Sequence, residues 1–168
     1  FQQIYDAGIK VKVITGDNAE TTKSIAEQAG ILHAENSITG SEIAQLSETD
    51  LLQTAHDKVL FARMFPEAKL AVVKALKEDG EVVAMLGDGV NDGPALKAAH
   101  IGVAMGEKGT EIAKQAAQLI LTNDDLGKLV VGIAAGRRIY TNLKKAVQYI
   151  ISIHIPIILI VSLPLFLG

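Results

Sequence analysis

Residues 146–168 read AVQYIISIHIPIILIVSLPLFLG, a tract without Asp, Glu, Lys or Arg and with a single histidine, His154. A chain must either bury such a tract or find it an apolar solvent. About 23 residues at ~1.5 Å each reach across a hydrocarbon core of ~30 Å, so a membrane-spanning helix is expected. A buried core helix or a β-rich segment is the alternative, because Ile favours strands and Pro156 and Pro164 interrupt helices in water. Prolines are tolerated in spanning helices, however, and a soluble domain rarely leaves so long an uncharged end. Arg137, Arg138, Lys144 and Lys145 stand just before the tract, and by the positive-inside rule this pattern places residues 1–145 in the cytoplasm. The tract is at the wrong end for a signal peptide.

Residues 1–145 have a different character, with charges scattered throughout. The 168 residues are about one domain's worth of chain, long enough for a core. A formal net charge of −3 argues against nucleic acid as a main partner. The absence of cysteine removes disulfides, thiol nucleophiles and thiolate metal sites. The first residue is Phe1 rather than Met, and the sequence stops at the apparent end of one span, so a fragment of a longer polypeptide is expected.

The spacing of apolar runs and turn residues predicts alternating strands and helices. Val11–Ile14 is a short β-branched run ending in Thr15-Gly16-Asp17-Asn18, and Ala19–Ala29 is helix-forming with Gly30 placed to stop it. Ser47-Glu48-Thr49-Asp50 matches a capping box before a helix at Leu51–His56. Val59–Ala62 is a second strand, Pro66 opens a helix over Glu67–Lys77, and Val82–Leu86 is a third strand. Asn91–Ala99 is helical by composition, followed by a strand at Ile101–Met105, a helix at Thr110–Ala117 and a strand at Leu119–Leu121. From Asp125 one long helix leads into the apolar tract. Strands separated by helices of these lengths require crossover connections. The expected fold class is therefore α/β, a Rossmann-like parallel sheet with helices on both faces. The expected organisation is an α/β body over 1–124, a connecting helix over 125–145 and a transmembrane helix over 146–168.

In such sheets ligands bind outside the carboxyl ends of the strands. Thr15-Gly16-Asp17, Arg63 and Asp88-Gly89 each follow a predicted strand, so order alone gathers them at one edge. The string Gly87-Asp88-Gly89-Val90-Asn91-Asp92 places two carboxylates in a sharp turn. That suits Mg²⁺, a hard cation that keeps several waters and takes one or two carboxylates plus phosphate oxygens. An EF-hand is excluded, because its ligand ladder and closing Glu are missing. Lys69, in the first turn of the Pro66 helix, leans towards the same edge and would meet phosphate as a point charge. Thr15 and the Gly16 and Asp17 amides lie where a helix start attracts anions. A divalent ion, an ammonium and hydroxyl and amide donors make up a set suited to phosphoryl transfer. No nucleophile completes it, since no serine or cysteine ends a strand beside a histidine.

The stretches VITGDNAETTKSIAEQAGI, FARMFPEAK, MLGDGVNDGPALKAAHIGVAMGEKGTEIAKQAA and GRRIYTNLKKAVQYII closely resemble the P-type cation-transporting ATPases, which belong to the haloacid dehalogenase-like superfamily. The resemblance covers nearly the whole chain. It implies the C-terminal part of a phosphorylation domain, a stalk and the start of the fifth membrane helix. It further implies that Asp88 binds catalytic Mg²⁺, that Asn91 contacts the phosphate, and that Asp92 supports the ion and Lys69. Lys69 would neutralise the phosphoryl group, Thr15 and Gly16 would hold its oxygens, and Asp17 and Arg63 would lie near the nucleotide. The implied cofactor is Mg²⁺. The implied partners are ATP, a transported cation of unknown identity, the lipid bilayer and the rest of the same polypeptide, a multi-pass membrane protein. In that family ATP phosphorylates an aspartate in an Asp-Lys-Thr-Gly-Thr motif, which does not occur here. The fragment alone is therefore expected to be inactive.

Two departures from the family pattern stand out. Leu86 replaces the threonine common before Gly-Asp-Gly, and in SIHIPIILI, His154, Pro156 and Ile157 replace the usual Asn, Gly and acid, which puts a calcium assignment in doubt. Other readings of the same residues are a soluble phosphatase with this superfamily site, and a non-catalytic response-regulator-like or nucleotide-binding module.

Overall fold

The computed structural model describes residues 1–167; Gly168, the last residue of the expected span, lies outside them. The chain divides into two compact units, Phe1–Leu126 and Gly127–Gly168.

The first unit holds six strands: β1 (Val13–Ile14), β2 (Ser37–Thr39), β3 (Leu60–Ala62), β4 (Ala84–Gly87), β5 (Ile101–Met105) and β6 (Leu119–Leu121). All the pairings are parallel, but they form two three-stranded sheets, in the orders β1-β3-β2 and β4-β5-β6. β2 falls outside the sequence expectation. Only Ile38 in it is a strong strand former, and it is held by its register opposite Phe61 of β3. Seven helices accompany the strands: α1 (Gln2–Asp6), α2 (Ala19–Gln28), α3 (Gly40–Ile43), α4 (Glu48–Asp57), α5 (Pro66–Glu78), α6 (Gly93–Ala98) and α7 (Glu111–Ala116).

Helix boundaries follow local chemistry. Asn18 caps α2 by accepting from the Glu20 amide at 2.9 Å, Ser47 caps α4 through the Asp50 amide at 3.2 Å, and Thr110 caps α7 through the Ala113 amide at 3.3 Å. Pro66 begins α5 at a position where its missing N–H costs nothing.

Period-two alternation along β3 explains how that strand is covered on both faces. Leu60 and Ala62 cluster with Ala26 and Ala34, while Phe61 points the other way, into a cluster with Ile43, Ala55, Ala68, Val72 and Leu76. α5 serves two cores, because Val73 joins a separate cluster with Met85, Leu96 and Ala104. This helix is buried on both flanks and carries a lysine into the space beneath the strand ends.

The second unit is one helix, α8 (Leu126–Leu167), which runs through both Pro156 and Pro164. Its apolar part qualifies by length and composition as a membrane span, with a mean hydropathy of 2.1 in a window none of which is buried.

Candidate functional site

The carboxyl ends of β1 and β4 open onto a cleft of about 360 Å³ lined by Ile14, Thr15, Gly16, Lys69, Leu86, Gly87, Asp88, Asp92 and Met105. Thr15, Lys69 and Asp88, far apart in sequence, share this one cleft.

On the β1 side the backbone is stitched to β3. The Thr15 amide donates to the Phe61 carbonyl at 2.9 Å, the Met64 amide to the Thr15 carbonyl at 2.8 Å, and the Arg63 amide to the Asp17 carbonyl at 2.9 Å. The Thr15 hydroxyl accepts from the Asp17 amide at 3.1 Å and donates to the Asp17 carboxylate at 3.2 Å. Both sets of bonds hold the hydroxyl at the cleft wall.

On the β4 side the charges are arranged around Asp92. Its Oδ1 accepts from Lys69 Nζ at 2.7 Å and its Oδ2 from the Gly89 amide at 3.3 Å. The ion pair is nearly dry, with 11% and 10% of the two side chains exposed. Removing one partner of such a pair strands the other charge and costs about 3–5 kcal/mol. Gly87 makes the packing possible, since a Cβ there would meet the Asp92 Cβ at 2.6 Å. The return of Asp92 to the Gly89 amide also explains why Val90–Asp92 is a 3₁₀ turn preceding α6 rather than the start of the helix expected at Asn91.

Asp88 is exposed at the cleft wall. Its backbone is fixed by the Thr110 amide, which donates to the Asp88 carbonyl at 2.8 Å. One exposed carboxylate, an adjacent polar cleft and room for water fit a hydrated divalent cation better than a full protein cage. Among the described residues no group of three or more His, Cys, Asp or Glu is placed to hold a metal.

Asp17, Arg63 and Asn91 are exposed and do not line the cleft. Asp17 and Arg63 sit at its rim, linked to each other and to Thr15 by the bonds above, and Arg63 adopts a left-handed backbone with φ 49°. Met105, a cleft residue at the end of β5, carries no polar signal that sequence reasoning could have used.

A family model for haloacid dehalogenase-like hydrolases matches residues 1–100. The chain belongs to that family. Among curated proteins, this haloacid dehalogenase-like chain is 43% identical to the cation-transporting ATPase pma1 of Synechocystis sp., over 89% of the chain and 17% of the relative. It is 46% identical to the endoplasmic reticulum-type calcium-transporting ATPase 4 of Arabidopsis thaliana, over 96% of the chain and 16% of the relative. It thus spans under a fifth of the length of the curated relatives it matches. The solved structure of a zinc-transporting PIB-type ATPase in its E2.Pi state superposes with a TM-score of 0.66 at 30% identity, over 86% of this chain and 19% of that one. The resemblance to P-type cation-transporting ATPases read from the motifs is borne out by these relatives.

Proposed function

We propose that this chain is the C-terminal part of the phosphorylation domain, with stalk and first following span, of an ATP-driven cation pump that works through an aspartyl phosphate. The observation that carries the reading is that one cleft unites Thr15 and Gly16 from β1 with Lys69, Asp88 and Asp92 from around β4.

In this reading Asp88 holds Mg²⁺, which when bound supplies positive charge to the oxygens of the transferring phosphoryl group. Asp92 is occupied in holding Lys69, so its contribution is to keep the ammonium aimed at the cleft. Lys69 neutralises charge as it develops on the phosphoryl oxygens, where a preorganised cation acts without reorganisation cost. Thr15 turns its hydroxyl from Asp17 to a phosphoryl oxygen, assisted by Gly16. Asn91 reaches the phosphate from outside the cleft wall, and Asp17 and Arg63 face the nucleotide at the rim.

β1 and β4 are both end strands of their sheets, and Ile14 and Leu86 from them line the same cleft. A further strand carrying the nucleophilic aspartate, contributed by another part of the polypeptide, fits between them. Its carboxylate oxygen attacks the γ-phosphorus and the bond to the bridging oxygen of ADP breaks. Water later cleaves the acyl phosphate. Cation movement, with residues 1–145 in the cytoplasm and α8 crossing the bilayer over 146–168, belongs to the same proposal.

The test uses membranes containing the intact polypeptide. Radiolabelled ATP is expected to give an acid-stable, hydroxylamine-labile phosphoprotein that sediments with the membrane. A membrane-bound protein that takes no such label refutes the reading.

A further inference from the structure

The segment between β5 and α7 is held from both ends. At one end the Asp124 carboxylate accepts three successive backbone N–H groups: Oδ1 takes those of Gly106 at 2.7 Å and Glu107 at 3.1 Å, and Oδ2 takes that of Lys108 at 2.9 Å. At the other end the Thr110 amide donates to the carbonyl of Asp88. The segment has little slack between these points, because a Cβ on Gly109 would collide with the Met105 backbone.

Asp124 itself stands in the left-handed region at φ 53°, a conformation that costs a non-glycine residue energy. A simple turn would be better served by glycine. Hydrogen bonds from amides to a carboxylate are stronger than those to a neutral carbonyl, which is a physical reason for an acid to occupy this strained position.

We propose that Asp124 is a positioning residue for the metal-binding acid: it locks Gly106–Lys108, and the locked segment sets the backbone of Asp88 through the Thr110 amide. The inference rests on the assignment of Asp88 as a divalent-cation ligand above. Residues that act on a metal ligand from behind typically change metal affinity about 10–100-fold when replaced.

Asp124→Asn in the intact polypeptide isolates the carboxylate, because Asn tolerates the left-handed backbone. It leaves an amide NH₂ facing the Lys108 N–H, donor against donor. Two readouts are taken: hydrogen exchange of backbone amides, and Mn²⁺ affinity by electron paramagnetic resonance. Exchange is expected to accelerate at 106–108 and at Thr110 while α5 stays protected, and Mn²⁺ affinity is expected to fall about tenfold or more.

Acceleration confined to 106–108, with Thr110 and Mn²⁺ affinity unchanged, would make Asp124 a local turn residue and overturn the proposal. Loss of protection in α5 as well would overturn it in favour of a general folding role. Asp88→Asn, measured in parallel, separates the two levels. Unchanged Mn²⁺ affinity in Asp88→Asn sinks the site reading itself, whereas affinity lost there but kept in Asp124→Asn sinks only the positioning role.

Discussion

In the body of residues 1–126, Leu60, Phe61, Val72 and Leu96 are withdrawn completely from solvent, whereas along α8 Ile151, Ile155, Ile158 and Ile160 are 50–73% exposed. The side chains are of the same kind; their patterns differ. In the body, apolar residues alternate along strands or recur on one face of a helix, so that each face finds another to cover it. In the apolar stretch of α8 they occur all round, with no face left polar enough for water, and such a helix needs an apolar solvent on every side. Hydrophobicity alone therefore does not specify a core. Its periodicity decides whether one face of an element can be covered by another part of the fold or whether the element needs apolar surroundings all round.

The largest effect that would sharpen this contrast is Phe61→Ala. Its ring is fully buried between β3 and α5, and the cavity should cost the body about 3–5 kcal/mol, read as earlier unfolding of the body by thermal melting with membrane association unchanged. A smaller effect is expected from Ile155→Arg in the apolar stretch, about 2.5–3.5 kcal/mol against membrane insertion. A translocon-insertion assay of segment 146–168 reads it, and body stability should not move. If Ile155→Arg destabilised the body instead, the helix would be a core element and the comparison would fail.

The smallest effect is one of pH. Partial desolvation pushes the Asp124 carboxyl up, but the amide bonds from Lys108, Glu107 and Gly106, with the Lys108 charge, outweigh it and hold the group below the usual aspartate value. A carboxyl depressed in the folded state contributes stability that is present above its unfolded pKa and lost as pH falls through the folded one. The protection factors at 106–108, which remove the intrinsic pH dependence of amide exchange, should therefore hold at mildly acid pH and fall only when pH drops below the ordinary aspartate range. A fall in protection already near neutrality would show that the tether is not a carboxylate effect.

The sequence was most legible where local chemistry decides the outcome. Ile101–Met105 and Leu119–Leu121 are strands as expected, and Pro66, Gly30 and Gly80 bound helices because proline and a left-handed glycine act through their own backbones. Thr15 and Asp88 could be assigned to one edge because strand order fixes which turns share it, and Lys69 because side chains in the first turn of a helix lean towards its start. What required coordinates depends on partners distant in sequence. β2 exists because Phe61 is its neighbour, and the division into two sheets leaves β1 and β4 facing one cleft. The pairing of Asp92 with Lys69, 23 positions away, was implied by the family resemblance, whereas the spacing of the two residues alone carries no signal of it. The hold of Asp124 on amides at 106–108 is a tertiary fact, for which the Asn123-Asp124-Asp125 run gives only a turn signal.

The most direct test of the central claim, that one cleft holds a divalent cation against a phosphoryl group, is a magnesium titration of phosphoprotein formation from ATP in Asp88→Asn of the intact polypeptide. The account predicts that label stays at least about 100-fold below wild type at every magnesium concentration. Label formed at the wild-type level, with the wild-type dependence on magnesium, would contradict it.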